Sequence, residues 1–294
     1  MESNRILEKK QKPKWFDSLN ELAEISFDIT FSKWQESGYL TEKYRPYLTI
    51  KDGRVIANAS ANLMNFAFAK KIWSGIQIGT VMTAKCFRNQ GLASKLIRDI
   101  ISDWQDKVDF IYLFANDESA SYYPQFGFER VYEYAYSKAI EKKDIHTLLE
   151  TMDLNEYKWL DKLKVKYQEG NRYSSFRSFD NFELLMFYCG LFMADSLYYI
   201  REYDLIAIIQ KEENTLCCFE IFGRTTEPLA NVLQKIEEAF TDVDTLELGF
   251  TPLDDSGFQT TRIDDYDHLF ILKGSSLVEY LNENKNIFPL LSHA

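Results

Sequence analysis

The sequence predicts a mixed α/β fold arranged as two successive units. Three observations carry this expectation. An alternating, β-branched run passes through a glycine-containing turn into an amphipathic stretch between residues 75 and 104. The order hairpin, strand, helix, strand can be read from periodicity in each half of the chain. At 294 residues the chain is also longer than a typical single domain.

The first unit begins with residues 15–40, which read as helical because Trp15, Leu19, Leu22, Ile25 and Ile29 recur at roughly helical spacing, with Gly38 as a stop. Tyr47-Leu48-Thr49-Ile50 and Val55-Ile56-Ala57-Asn58-Ala59 flank Lys51-Asp52-Gly53-Arg54, and Asp-Gly is a strong hairpin signal. The second arm runs on to Phe68. Residues 75–83 form the next strand, with Ile76, Ile78, Thr80 and Met82 on one face. Gly79 within it signals a bulge or a close backbone approach. Leu92, Leu96, Ile97, Ile100, Ile101 and Trp104 then fall on one helical stripe. Residues 110–116 read as a buried strand.

Residues 138–170 are highly charged and helix-compatible, so a connecting helical segment is expected there, with the domain boundary near residue 140. The expected units are residues 1–140 and 141–294. The second contains a helix at about 180–192 and strands at 197–201, 204–210 and 215–222, the last two joined by Glu212-Glu213-Asn214. A helix at about 227–240 follows, opened by Pro228. Strands at 244–250 and 268–273 close the series.

Composition narrows the function classes. Hydrophobic residues make up 46% of the chain and 22 Phe are ample for buried cores. The longest apolar run, residues 184–194, is short of the roughly 20 residues a spanning helix needs. Lys9, Lys10, Lys12 and Lys14 lead into no apolar stretch, so no signal peptide and a cytoplasmic location are expected. Cys86, Cys189, Cys217 and Cys218 lack Cys-x-x-Cys spacing and only three His occur, so reduced thiols and no metal are expected. Residues 1–140 hold 19 basic and 17 acidic residues, a charge of +2; residues 141–294 hold 15 and 28, a charge of −13. This acidity disfavours nucleic acid; the acidic half is read first as a solvated surface and, as the alternative, as a field that could draw in a cationic amine.

The chemistry lies at Phe87-Arg88-Asn89-Gln90-Gly91-Leu92-Ala93, between strand and helix. A helix starting near Asn89 leaves several N–H groups without intrahelical partners, and these donors with the positive end of the macrodipole suit a diphosphate. Gly91 lets a ligand approach the backbone, and Ala93 nearly as well. No Gly-x-Gly-x-x-Gly and no Gly-x-x-x-x-Gly-Lys-Ser/Thr pattern is present, which argues against dinucleotide or nucleotide enzymes.

Arg88-x-x-Gly91-x-Ala93 resembles the acyl-CoA pyrophosphate signature of the GNAT acetyltransferase superfamily, and Ser119-Ala120-Ser121-Tyr122-Tyr123-Pro124-Gln125-Phe126-Gly127-Phe128 resembles its second signature. The resemblance covers about residues 15–138. It implies a GNAT fold for the first unit, with acetyl-CoA as cosubstrate and no metal. The cofactor would be bound by the amides of Asn89, Gln90, Gly91, Leu92, Ala93 and Ser94, with added charge from Arg88. Backbone around Val81, Met82 and Thr83 would pair with the pantetheine arm, and Asn116 would bond that arm or order a water. Tyr123 aligns with the tyrosine that many members place near the CoA sulfur, where a hydroxyl can protonate the leaving thiolate.

No general base is singled out. Asp117, Glu118, Asp28, Glu36 and the terminal carboxylate are candidates. The second unit is expected to be a degenerate GNAT-like domain, because it repeats the element order of the first half while Phe222-Gly223-Arg224-Thr225-Thr226-Glu227-Pro228 lacks the Gly-x-Gly/Ala turn and so should bind no nucleotide. It would shape the acceptor site or a homo-oligomer contact. The leading function is an N-acetyltransferase acting on a small-molecule or peptide amine by direct attack in a ternary complex. The alternative is a non-catalytic acyl-CoA sensor or assembly module.

Overall fold

The computed structural model describes residues 13–141, 147–264 and 267–293. Two helices come first, α1 (Phe16–Phe27) and α2 (Ser32–Glu36). Residues 15–40 are therefore not one helix: Asp28, at φ 56°, ends α1 in the left-handed conformation. The inward stripe is Phe16, Leu19, Leu22 and Ala23, and Ile25 is 77% exposed, so the expected register holds only in part. Strands β1 (Tyr44–Lys51), β2 (Arg54–Phe68) and β3 (Lys71–Thr83) form a meander. Asp52 and Gly53 both have positive φ, as the expected two-residue hairpin requires. Then follow α3 (Leu92–Trp104), β4 (Phe110–Ala115), the short α4 (Asp117–Ala120), β5 (Phe128–Val131) and β6 (Tyr134–Ala139).

The segment expected to be a connecting helix is different. Beyond β6 come β7 (Glu150–Thr151) and only then α5 (Tyr157–Glu169). The start of the segment is taken by β6, where Lys138 and Ala139 pair with Leu246 and Thr245, and the helix occupies only Tyr157–Glu169. The chain continues with β8 (Ser174–Phe179), α6 (Phe182–Leu191), β9 (Leu197–Ile200), β10 (Leu205–Glu212), β11 (Thr215–Phe222), α7 (Leu229–Glu237), β12 (Thr245–Leu248), β13 (Thr251–Pro252), β14 (Gln259–Arg262), β15 (His268–Leu272) and α8 (Ser276–Glu283). Pro228 stands at the N-cap of α7, one position earlier than expected.

Two mixed sheets result. One has the order β13-β8-β2-β3-β4-β15-β5, with β1 also paired to β2; the other has the order β14-β6-β12-β11-β10-β9-β7. Strands cross between them. β6 lies in the second sheet, whereas β8, β13 and β15 lie in the first. The strand expected to close the second series, β15, instead sits antiparallel between β4 and β5. Leu269, Phe270 and Ile271 are buried on both faces of that strand, which requires a sheet covered on both sides.

An aromatic core lies on the first sheet, across β2, β4 and β8. Phe288, near the end of the described chain, is fully buried against Phe66, Tyr112 and Phe176, with ring centroids 4.8–5.3 Å away. Full burial of one such ring contributes about 1.5–3 kcal/mol. Among the described residues, no helix is long and apolar enough to cross a membrane.

Candidate functional site

β3 and β4 run parallel but pair only from Gly75–Gln77 to Phe110–Tyr112. β2 goes on pairing with β3 as far as Thr83, so β3 stays extended while β4 departs. From Ile78 to Thr83 the edge of β3 facing β4 has no strand partner among the described residues. This stretch includes Val81, Met82 and Thr83; Met82 buries its side chain against α1 and α2, so only its backbone is offered.

A bulge marks the divergence. Asn58 opposes Met82 and Ser60 opposes Gly79, leaving Thr80 and Val81 against Ala59. The expected irregularity at Gly79 thus falls on the next residue, and Thr80 has φ 43°. A left-handed β-branched residue is strained by roughly 1–2 kcal/mol. Neighbouring side chains hold it there. Ser60 Oγ donates to the Gly79 carbonyl at 2.9 Å, and Asn58 Nδ2 donates to the Thr80 carbonyl at 2.8 Å. Thr80 Oγ1 also lies 2.8 Å from Ser60 Oγ and 3.3 Å from the Tyr44 hydroxyl.

At the end of β3, residues 85–87 make a 3-10 turn and Arg88–Gly91 lie exposed. Asn89 and Gly91 are left-handed, with φ 61° and 74°. Gly91 is the N-cap of α3, and no side chain caps the helix. A Cβ on Gly91 would meet nothing within 4 Å, so the space in front of the helix is open. The Arg88 guanidinium is turned back, with Nε donating to the Thr83 carbonyl at 3.2 Å. Gln90 Nε2 lies 3.5 Å from the Cys86 carbonyl. Leu92, Ala93 and Ser94 form the half-buried first turn, where Ser94 Oγ lies 2.8 Å from the Tyr122 hydroxyl. That bond ties α3 to the second signature, a link that periodicity alone could not supply.

Tyr123 is 6% exposed and packs against Phe128 and Phe270. Burial pushes its hydroxyl up to about 12, with Tyr122 and Asp267 adding to the rise. It is therefore protonated at neutral pH. The hydroxyl has no hydrogen-bond partner among the described residues. Asn116 uses its side-chain oxygen to cap α4, accepting from Ser119 N at 3.1 Å and Ser119 Oγ at 2.7 Å. Only its Nδ2 is left for a ligand.

Of the expected base candidates, Asp117 lies beside a cavity and is bonded to His268 Nε2 at 2.6 Å. Asp28 serves as the left-handed terminus of α1, while Glu36 ends α2 and Glu118 lies exposed in α4. The terminal carboxylate belongs to Ala294, outside the described residues. The cavity, of about 810 Å³, opens where the end of β4 meets β6, β11, β12 and β14. Six carboxylates face it: Asp117, Glu133, Glu212, Glu247, Asp264 and Asp267.

The second sheet repeats the divergence. β11 and β12 pair in parallel from Thr215–Thr245 to Cys218–Leu248 and then part, as β12 leads into β13 of the first sheet. Here the gap is filled by the protein itself. Leu290 N–H donates to the Gly249 carbonyl at 3.0 Å, and the 3-10 turn at residues 290–292 packs against β11. The following turn has its Arg224 amide bonded to Glu169 Oε2 at 3.0 Å. An acceptor carboxylate already holds the donor that a phosphate would need. Acetyl-CoA is therefore expected to titrate at one equivalent per chain by calorimetry, and saturation at two would contradict this.

Residues 8–131 match the family model described as acetyltransferase (GNAT) domain. This segment is a GNAT domain. No curated protein matches the chain. Solved structures similar to it include a conserved protein of unknown function from Enterococcus faecalis V583, with 16% identity and a TM-score of 0.61 over 87% of this chain and 69% of that one. A GCN5-related N-acetyltransferase from Kribbella flavida follows, at 13% identity and TM-score 0.56, covering 87% and 67%. Eis1 from Mycobacterium abscessus gives 14% identity and TM-score 0.56, covering 86% and 69%. At these identities the likeness is one of fold. The GNAT family match supports acyl transfer as the general chemistry.

Proposed function

We infer that the chain is an acetyl-CoA-dependent N-acetyltransferase that acylates a primary amine by direct attack in a ternary complex. One observation carries the reading: the unpaired inner edge of β3 leads directly into the open, uncapped N-terminus of α3 at Gly91. An extended pantetheine arm suits such an edge, because it can complete the missing backbone hydrogen bonds. The diphosphate suits the free amides of Asn89–Ser94 and the positive end of the helix dipole. We assign the two units to either side of residue 140, with strands exchanged between their sheets.

In the reaction, the amine nitrogen attacks the thioester carbonyl and the carbon–sulfur bond breaks. The amine gives up a proton and the departing thiolate takes one. Alignment of amine and thioester supplies most of the acceleration, and the Tyr123 hydroxyl donates to the sulfur.

Tyr123→Phe removes only a hydroxyl that holds nothing in place among the described residues. Folding and acetyl-CoA affinity should be unchanged, while kcat at saturating acceptor falls roughly 10²-fold, the low end for general-acid help. An unchanged kcat with chemistry rate-limiting would leave Tyr123 as packing alone. Turnover across a panel of amines tests the larger reading, since acetyl-CoA binding without acetyl loss to any amine would indicate a sensor.

A further inference from the structure

We propose that the acidic cavity is the acceptor site and takes an amine bearing at least two positive charges, the remote charge held by the cavity's unpaired carboxylates, Glu133 first among them. The proposal rests on the acetyltransferase reading and adds the substrate class to it.

Position comes first. Asn116 and Asp117, which line one end of the cavity, directly follow β4 on the side where it parts from β3. Asp267 lines the same end and is close enough to Tyr123 to influence its hydroxyl. A reacting amine at this end would sit next to the proposed proton donor, with the rest of the molecule reaching between the sheets.

Charge decides what that remainder is. Among the described residues, no lysine or arginine pairs with Glu133, Glu212 or Glu247. Arg262 lines the cavity, but its guanidinium is engaged with Asp264 at 2.9 Å. His293 also lines it, and burial lowers its imidazole to about 3, leaving it neutral.

Glu133 is the most telling group. It is 8% exposed, and its Oε1 accepts the Phe288 N–H at 2.8 Å. Its Oε2 has no partner among the described residues, although the residue faces the cavity. A buried carboxylate without a cation is costly, and this group is pushed up to about 8 in response. Glu247 is raised too, by burial and then by Glu212. A cationic group beside Glu133, or beside the Glu212 and Glu247 carboxylates, would relieve the group it meets. A metal ion is a poorer candidate, since no cluster of described His, Cys, Asp or Glu residues could hold one. The volume also suits a small organic ligand, for which about 300–1,000 Å³ is usual.

The test uses spermidine and butylamine as probes, titrated by calorimetry into the full chain at low salt. Spermidine should bind at least about tenfold tighter than butylamine, and Glu133→Gln combined with Glu247→Gln should weaken spermidine by about tenfold or more. Both replacements are isosteric, and the variant's unfolding midpoint checks that it folds. Acetyl-CoA affinity should stay within about twofold. Equal affinity for the two amines, or unchanged spermidine binding in the variant, overturns the proposal. So does acetylation of other amines but not of bound spermidine. Failure of acetyl-CoA to bind, with spermidine binding intact, overturns the acetyltransferase reading instead.

Discussion

Gly91→Glu should weaken acetyl-CoA binding by at least about 100-fold in calorimetry while the protein still folds. The two halves of that result have different causes. Nothing lies within 4 Å of a Cβ at this position, so the fold has room for the side chain. The backbone is left-handed, at φ 74°, which costs a non-glycine residue roughly 1–2 kcal/mol. Asn89, two residues earlier, already tolerates the same region at φ 61°. The loss of binding comes from charge and occupancy. The new carboxylate would stand at the N-terminus of α3, where the diphosphate is expected. Two like charges about 4 Å apart repel by about 4 kcal/mol at the effective dielectric near a protein surface, which exceeds the roughly 2.7 kcal/mol behind a 100-fold change. Gly91→Gln separates the contributions, since it carries the same strain and bulk without the charge. It should bind more tightly than Gly91→Glu. If Gly91→Glu binds acetyl-CoA as well as the parent does, the diphosphate site is elsewhere.

The parts of this fold that were legible in the sequence are those written locally. The Asp52-Gly53 hairpin, the glycine turn at Gly91 and the stripe Leu96-Ile97-Ile100 each depend on residues a few positions apart, and each is present in the structure. The split of the first helix was not legible, because Asp28 can sit inside a helix as easily as end one in the left-handed conformation. The placement of β15 was not legible either. Leu269, Phe270 and Ile271 announce a buried strand, but a partner more than 100 residues away is chosen by the packing of the whole sheet. The candidate site divides in the same way. The turn could be read, and the bulge was misplaced only from Gly79 to Thr80. The acidic cavity was missed because its carboxylates come from separate strands. A local signal did exist for one of them: Glu133 continues the parity of buried Val131 while Tyr132 between them is exposed. An acid on the buried parity of an apolar run is a sign of either a partner or a ligand.

The same buried acids should make the protein less stable as pH rises from about 5 to 8. Burial raises the Glu133 carboxyl from its ordinary 4.5 to about 8. Glu220, also buried, is raised from 4.5 to about 7, with hydrogen bonds from Asn171 and the Ile221 amide moderating the rise. The sign follows from proton binding. Below about 4.5 both groups are protonated in the folded and the unfolded chain, and neither contributes to a pH dependence. Above that value the unfolded chain loses its protons while the folded chain keeps them, so the unfolded state falls in free energy relative to the folded one by about 1.4 kcal/mol per pH unit for each group. The loss levels off near pH 7 for Glu220 and near pH 8 for Glu133. Asp109 and Asp204, whose carboxyls are held below their ordinary value, act only in the more acidic range. Glu133→Gln should therefore stabilise the protein at pH 8.5 by roughly 2–4 kcal/mol, with little change at pH 4.5. Its amide oxygen can keep the bond from Phe288 N–H, so packing is preserved. Measuring unfolding free energies of parent and variant across this range and taking their difference removes the contribution of every other group. A difference that is flat with pH would mean that Glu133 is already ionised in the folded protein, with a cation or a water network in the cavity supporting its charge.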